Sequence, residues 1–137
     1  AKFELPEDVL MADKLDKDAN TKEMFADRIT PDFNDWIGAD IGPKTIHKYR
    51  EAILNSNTII WNGPMGAFET QGFHSGTFEL IQILANCQAL TVVGGGDTDL
   101  ALHETHSFEK MGYVSTGGGA FLKLLEGEVL PAVAALG

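Results

Sequence analysis

Short apolar runs alternate with amphipathic stretches along this chain of 137 residues. Val9-Leu10-Met11-Ala12 is apolar and brief, and predicts a buried strand. Residues 13–21 are charged and predict a loop. Residues 32–42, with Trp36, Gly38 and Gly42, predict an irregular stretch. Pro43-Lys44-Thr45 then opens a helix, because proline suits a first helical position, and Ile46, Tyr49, Ile53 and Leu54 fall on one face. Thr58-Ile59-Ile60-Trp61 is a strand by length and β-branching. A helix starting at Ser75 or Gly76 places Phe78, Ile81, Leu84 and Ala85 together. Leu90-Thr91-Val92-Val93 is the next strand, followed by a helix from Asp97. Tyr113-Val114-Ser115 is a short strand before a helix over residues 120–125. Strand–helix alternation at this spacing implies parallel βαβ units in an α/β sheet.

The links between strand and helix carry the chemistry. Val93-Gly94-Gly95-Gly96-Asp97-Thr98 and Ser115-Thr116-Gly117-Gly118-Gly119 each place glycines between a strand and a helix N-terminus. Glycine lets backbone N–H groups approach a phosphate closely, and a helix N-terminus is partly positive. Such turns sit at the carboxyl edge of a parallel sheet, where open α/β folds bind ligands. Each also has a plainer reading, a tight turn with a helix cap, Asp97 serving as the cap in the first. In the functional reading Asp97 reaches Mg²⁺ and Thr98 a phosphate oxygen, while residues 117–119 form a cradle of N–H donors. The turn Asn62-Gly63-Pro64-Met65-Gly66 is a third, stiffer exit from a strand. Glu69, just beyond it, reads on spacing alone either as a partner of ribose hydroxyls or as a solvated surface acid.

Composition narrows the setting. Apolar residues make up 44% of the chain and charged residues 22%, which suits one globular domain. No apolar run is long enough to cross a membrane, and Ala1-Lys2-Phe3-Glu4 lacks a signal-peptide pattern. Cys87 is the only cysteine, so no intrachain disulfide forms and a cytoplasmic setting is expected. The net charge of −10 argues against nucleic acid or an anionic membrane as partner. It also fits poorly with phosphate binding, unless cations gather locally or come from outside this chain. His103-Glu104-Thr105-His106 lacks the spacing of a zinc-protease helix and reads as surface. Gly72-Phe73-His74-Ser75-Gly76 has the wrong order for a nucleophile elbow. Neither a P-loop nor a Gly-x-Gly-x-x-Gly fingerprint occurs, which counts against a dehydrogenase half. Trp61, Phe68 and Phe78 read as core aromatics.

Taken in order, Ile60-Trp61-Asn62-Gly63-Pro64-Met65-Gly66-Ala67-Phe68-Glu69, Val93-Gly94-Gly95-Gly96-Asp97-Thr98 and Val114-Ser115-Thr116-Gly117-Gly118-Gly119-Ala120 resemble the phosphoglycerate kinase family. Asp40-Ile41-Gly42-Pro43, the early Leu5-Pro6-Glu7-Asp8-Val9-Leu10-Met11-Ala12-Asp13-Lys14 and the closing residues 124–131 extend the resemblance over essentially the whole chain. It implies reversible phosphoryl transfer between 1,3-bisphosphoglycerate and MgADP, giving 3-phosphoglycerate and MgATP. It also implies a nucleotide cleft: Gly38 facing adenine, Asn62 and Pro64 near the ribose, Glu69 on the ribose hydroxyls. Gly95, Gly96 and Thr98 would serve the phosphates, Asp97 the Mg²⁺, and Gly117, Gly118 and Gly119 the phosphoryl in transfer. The family's enzymes are much longer. This chain, residues 1–137, would be the C-terminal part of the nucleotide domain, with the substrate domain and the phosphate-gripping lysines elsewhere. The implied fold is a partial three-layer, Rossmann-like α/β/α parallel sheet, about four strands of a six-stranded domain. The strand near Val9 would then lack its sheet neighbours, so a companion fragment or a displaced N-terminal segment is expected. A nucleotide-binding or structural piece without kinase activity is the alternative.

Overall fold

The computed structural model describes residues 2–127 and Ala135. Its strands form two sheets. β1 (Asp8–Ala12), β2 (Thr21–Phe25) and β3 (Ile37–Ile41) make an antiparallel sheet in the order β2-β1-β3. β4 (Thr58–Asn62), β5 (Leu90–Gly94) and β6 (Tyr113–Ser115) make a parallel sheet in the order β4-β5-β6. Helices α1 (Pro43–Leu54), α2 (Ser75–Asn86), α3 (Gly96–Glu104) and α4 (Gly118–Leu125) alternate with the later strands. The α/β class and the parallel arrangement expected from the sequence are both present. Residues 128–131 of the resemblance lie outside the described residues.

The N-terminal strand is where expectation and structure part. β1 is not an orphan of the parallel sheet. It is the central strand of the antiparallel one, with Val9 paired to Met24 on one side and Ile41 on the other. Among the described residues the parallel sheet accordingly has three strands, without the Val9 strand as a fourth. Two strands went unread for identifiable reasons. β2 is mostly exposed and carries charge, so it lacks an apolar signature. β3 contains Gly38 and Asp40, both poor strand formers.

β3 carries a bulge. Leu10 faces Asp40 but Met11 faces Gly38, so Ala39 has no opposite number on β1. The Ala39 carbonyl instead accepts the N–H of Ala67 at 2.8 Å, tying the long loop after β4 to this sheet.

Neither α1 nor α2 has a cap from its own N-cap side chain. Both are capped from the antiparallel sheet. Asp8 on β1 accepts the N–H groups of Lys44 (3.0 Å) and Thr45 (2.7 Å). Asp40 on β3 accepts the N–H of Gly76 at 2.8 Å. The main core then gathers Trp61, Phe68, Ile81, Leu84, Val93, Ala101, Leu102 and Met111 around the parallel sheet. A smaller one joins Ala12, Ala39 and Phe73. The three predicted core aromatics are placed accordingly, Phe78 packing at the margin.

Candidate nucleotide site

β5 and β6 are parallel neighbours, so the glycine turns that leave them emerge side by side. The Gly95 N–H donates to the Ser115 carbonyl at 3.0 Å, and a Cβ on Gly118 would lie 3.2 Å from the Gly95 Cα. Gly95 has φ +100° and ψ 141°, a region that suits glycine almost alone. Asn62, the last residue of β4, completes the group. Its Oδ1 would lie 3.2 Å from a Cβ on Gly95 and 3.7 Å from one on Gly118. Three turns separated in sequence thus meet at one edge of the parallel sheet.

Two helix N-termini open there. The first bond within α3 runs from Asp99 N–H to the Gly95 carbonyl, and the first in α4 from Phe121 N–H to Gly117. The amides of Gly96, Asp97 and Thr98, and those of Gly118, Gly119 and Ala120, therefore have no intrahelical acceptor. They are a double set of donors beside two positive helix ends.

The side chains divide by role. Asp97 is exposed on the first turn of α3 and does not cap it, since Gly95 holds the N-cap position without a side-chain bond. The capping alternative for Asp97 is thereby removed. Asp99, two residues on, has its Oδ1 buried and 3.5 Å from Nε2 of His103, so it is turned along the helix. His103 and His106 are exposed, as a surface reading requires. Among the described residues no group of three or more His, Cys, Asp or Glu side chains is arranged for a metal. Thr98 faces inward: it is fully buried and its hydroxyl accepts the Gly63 N–H at 3.0 Å. Its backbone N–H stays among the free donors.

Gly38, Pro64 and Glu69 are the other residues that the resemblance implies for the nucleotide. Gly38 is exposed on β3, with open space where a Cβ would sit. Glu69 is exposed directly after Phe68, which is anchored in the main core. Gly66, at φ +62°, passes so close to β3 that a Cβ would meet the Ala39 carbonyl. The turn after β4 thus spans both groups, with Asn62 and Gly63 touching α3 and Gly66 and Ala67 touching β3. Sequence reasoning missed two residues that hold this arrangement, Asp40, which bonds Gly76, and Thr77, which bonds Met65. Asp40 had a signal, as part of a quoted motif without an assigned task.

None of the ten basic residues falls within the three turns. A cavity of about 840 Å³ lies instead along α1. Lys48 on its wall is already paired, standing 3.0 Å from Glu4 and 3.7 Å from Glu7.

Fold and site together define an α/β protein with two glycine-led helix N-termini at one edge of its parallel sheet. The family model for phosphoglycerate kinase matches residues 1–128, and the chain belongs to that family. The phosphoglycerate kinase of Geobacter metallireducens is 49% identical over 135 residues, covering 98% of this chain and 33% of its own length. That of Chloroherpeton thalassium is 49% identical over 138 residues, covering 98% and 34%. A phosphoglycerate kinase structure from Coxiella burnetii superposes with a TM-score of 0.86 at 43% identity, covering 96% of this chain and 33% of that one. The structure from Pyrococcus horikoshii OT3 gives 0.79 at 33% identity, covering 96% and 31%. The chain therefore spans about a third of the length of these relatives.

Proposed function

We propose that this chain is the C-terminal part of a nucleotide-binding domain and supplies the MgADP/MgATP side of a phosphoglycerate kinase. The parent reaction moves a phosphoryl group reversibly between 1,3-bisphosphoglycerate and ADP in glycolysis, in the cytoplasm. The observation that carries this reading is the meeting of two glycine-led helix N-termini with Asn62 at one edge of the parallel sheet. Free amides at residues 96–98 receive nucleotide phosphates. Those of the 117–119 turn point donors at the phosphoryl group in transfer, where fixed dipoles stabilise charge without reorganising. Gly38 leaves room for the adenine, while Asn62, Pro64 and Glu69 hold the ribose.

The donor set suits Mg²⁺. A hard cation takes oxygen ligands, commonly one or two carboxylates plus phosphates, and Asp97 is an exposed carboxylate beside the free amides. When bound, Mg²⁺ would neutralise charge on the phosphates. Asp97 holds it, and the helix ends orient the phosphates around it.

The acceptor site and the basic side of the phosphate cradle lie outside this chain in this reading. The absence of Lys and Arg from the three turns supports that. So does β4, an edge strand of the parallel sheet whose Ile60 is 51% exposed. The bound partners on that side, 3-phosphoglycerate and 1,3-bisphosphoglycerate, would be held elsewhere in a complete enzyme or a companion fragment. Titration calorimetry of the chain with MgADP tests the proposal. Saturable binding is expected, weakened by Asp97→Asn with Mg²⁺ present and much less without it. No binding, or equal effects in both conditions, would sink it. Phosphoryl transfer by the chain alone is expected to be undetectable.

A further inference from the structure

The turn after β4 needs a fixed shape to join the two sides of the cleft, yet its own sequence does little to fix Met65. That residue sits between Pro64 and a glycine at φ +62°. Its backbone is held from α2. Thr77, fully buried on the first turn of that helix, accepts the Met65 N–H at 3.0 Å and donates its hydroxyl proton to the Met65 carbonyl. A helical threonine ordinarily bonds back to its own preceding turn. Here the hydroxyl serves another segment twice, and satisfies both polar groups of one peptide residue.

The neighbouring anchors point the same way. Thr98 from α3 holds Gly63, Asp40 holds Gly76, and Ala39 holds Ala67. Thr77 is the one that grips the middle of the turn, next to Pro64. From this geometry we infer that Thr77 is a positioning residue for the nucleotide. It acts through the Met65 backbone to set Pro64, and through the following loop Glu69, against the glycine turns. The inference rests on the nucleotide reading above.

The test compares the chain with Thr77→Val, which keeps shape but removes the hydroxyl, and Thr77→Ser, which keeps the hydroxyl. Thr45→Val is the control, since Thr45, on the first turn of α1, is equally buried but bonds to Asp8 and to none of the three turns. Two readouts are taken, hydrogen exchange at the Met65 amide without nucleotide, and MgADP affinity by calorimetry. Thr77→Val is expected to speed Met65 exchange and weaken MgADP by about fivefold, the scale of one net hydrogen bond. Thr77→Ser and Thr45→Val should bind as the unsubstituted chain does. Normal binding by Thr77→Val overturns the role of Thr77 alone, and so does equal weakening by Thr45→Val. Failure of the unsubstituted chain to bind MgADP overturns the nucleotide reading itself, and the inference with it.

Discussion

Asp8 and Asp40 have the same task and opposite electrostatics. Both are 5% exposed, and each takes N–H groups at the start of a helix. Burial is the largest single influence on Asp8 and pushes its pKa up. The Thr45 hydroxyl, the amides of Lys44 and Thr45 and the Lys44 charge together outweigh burial, leaving it below the usual value. At Asp40 burial wins: the amides of Gly76 and Ile41 do not compensate, and its pKa is raised. The signs follow by linkage. A depressed aspartate stabilises above its unfolded pKa of about 3.9 and loses that contribution as pH falls through its folded value. A raised one stabilises at low pH and loses that contribution as pH rises through its folded value. Asp8→Asn should therefore cost about 1–3 kcal/mol at neutral pH, for amides left poorly paired, with the deficit shrinking on acidification. The deficit of Asp40→Asn should instead grow on acidification. Urea unfolding of both variants between pH 3 and pH 7 checks the pair, and parallel pH profiles would refute the assignment.

Among the elements, α3 matters most, since its first turn carries Asp97 and Thr98 and its other end stores strain. Ser107 N–H reaches back to the Leu102 carbonyl at 2.9 Å, and His106 between them has φ 53°. This is a left-handed helix ending, normally glycine's place, taken here by an exposed histidine. His106→Gly should raise stability by about 0.5–1 kcal/mol, the relief of left-handed strain less glycine's greater freedom when unfolded. A lower denaturation midpoint would mean that the imidazole makes a needed contact. The helices and parallel strands were legible because their apolar residues recur with the right period: of the face read on α2, Ile81 and Leu84 are buried, and Phe78 and Ala85 pack partly buried against the core. The glycine turns were legible for a local reason too, as a backbone that must pass close to its neighbours needs residues without Cβ. Asp8 and Thr77 were not. Each acts across more than ten residues of chain, on a helix or turn whose own sequence says nothing of the missing cap.

At the scale of the whole molecule, the two sheets each have one central strand and two edges, and the N-terminal strand is central while β4 is an edge. In the antiparallel sheet β1 has partners on both sides, so its amides are bonded within the chain whichever way they point. In the parallel sheet β4, among the described residues, pairs only with β5, and beside it an apolar groove of about 180 Å³ runs between Ile53, Ile60, Trp61 and Leu84. Half of the β4 backbone groups thus face away from any strand among the described residues. Exchange rates should record this asymmetry. Leu10 and Met11 are expected to be strongly protected in the monomeric chain, against the picture of an N-terminal strand awaiting a companion. Along β4, protection should alternate, slow where an amide meets β5 and fast where it faces outward. Uniform protection of β4 in a monomer would show its edge covered from within this chain. Fast exchange at Leu10 and Met11 would restore the orphan strand. The predicted contrast sets a strand paired on both sides, β1, against an edge strand, β4, that ends in Asn62 at the meeting point of the glycine turns.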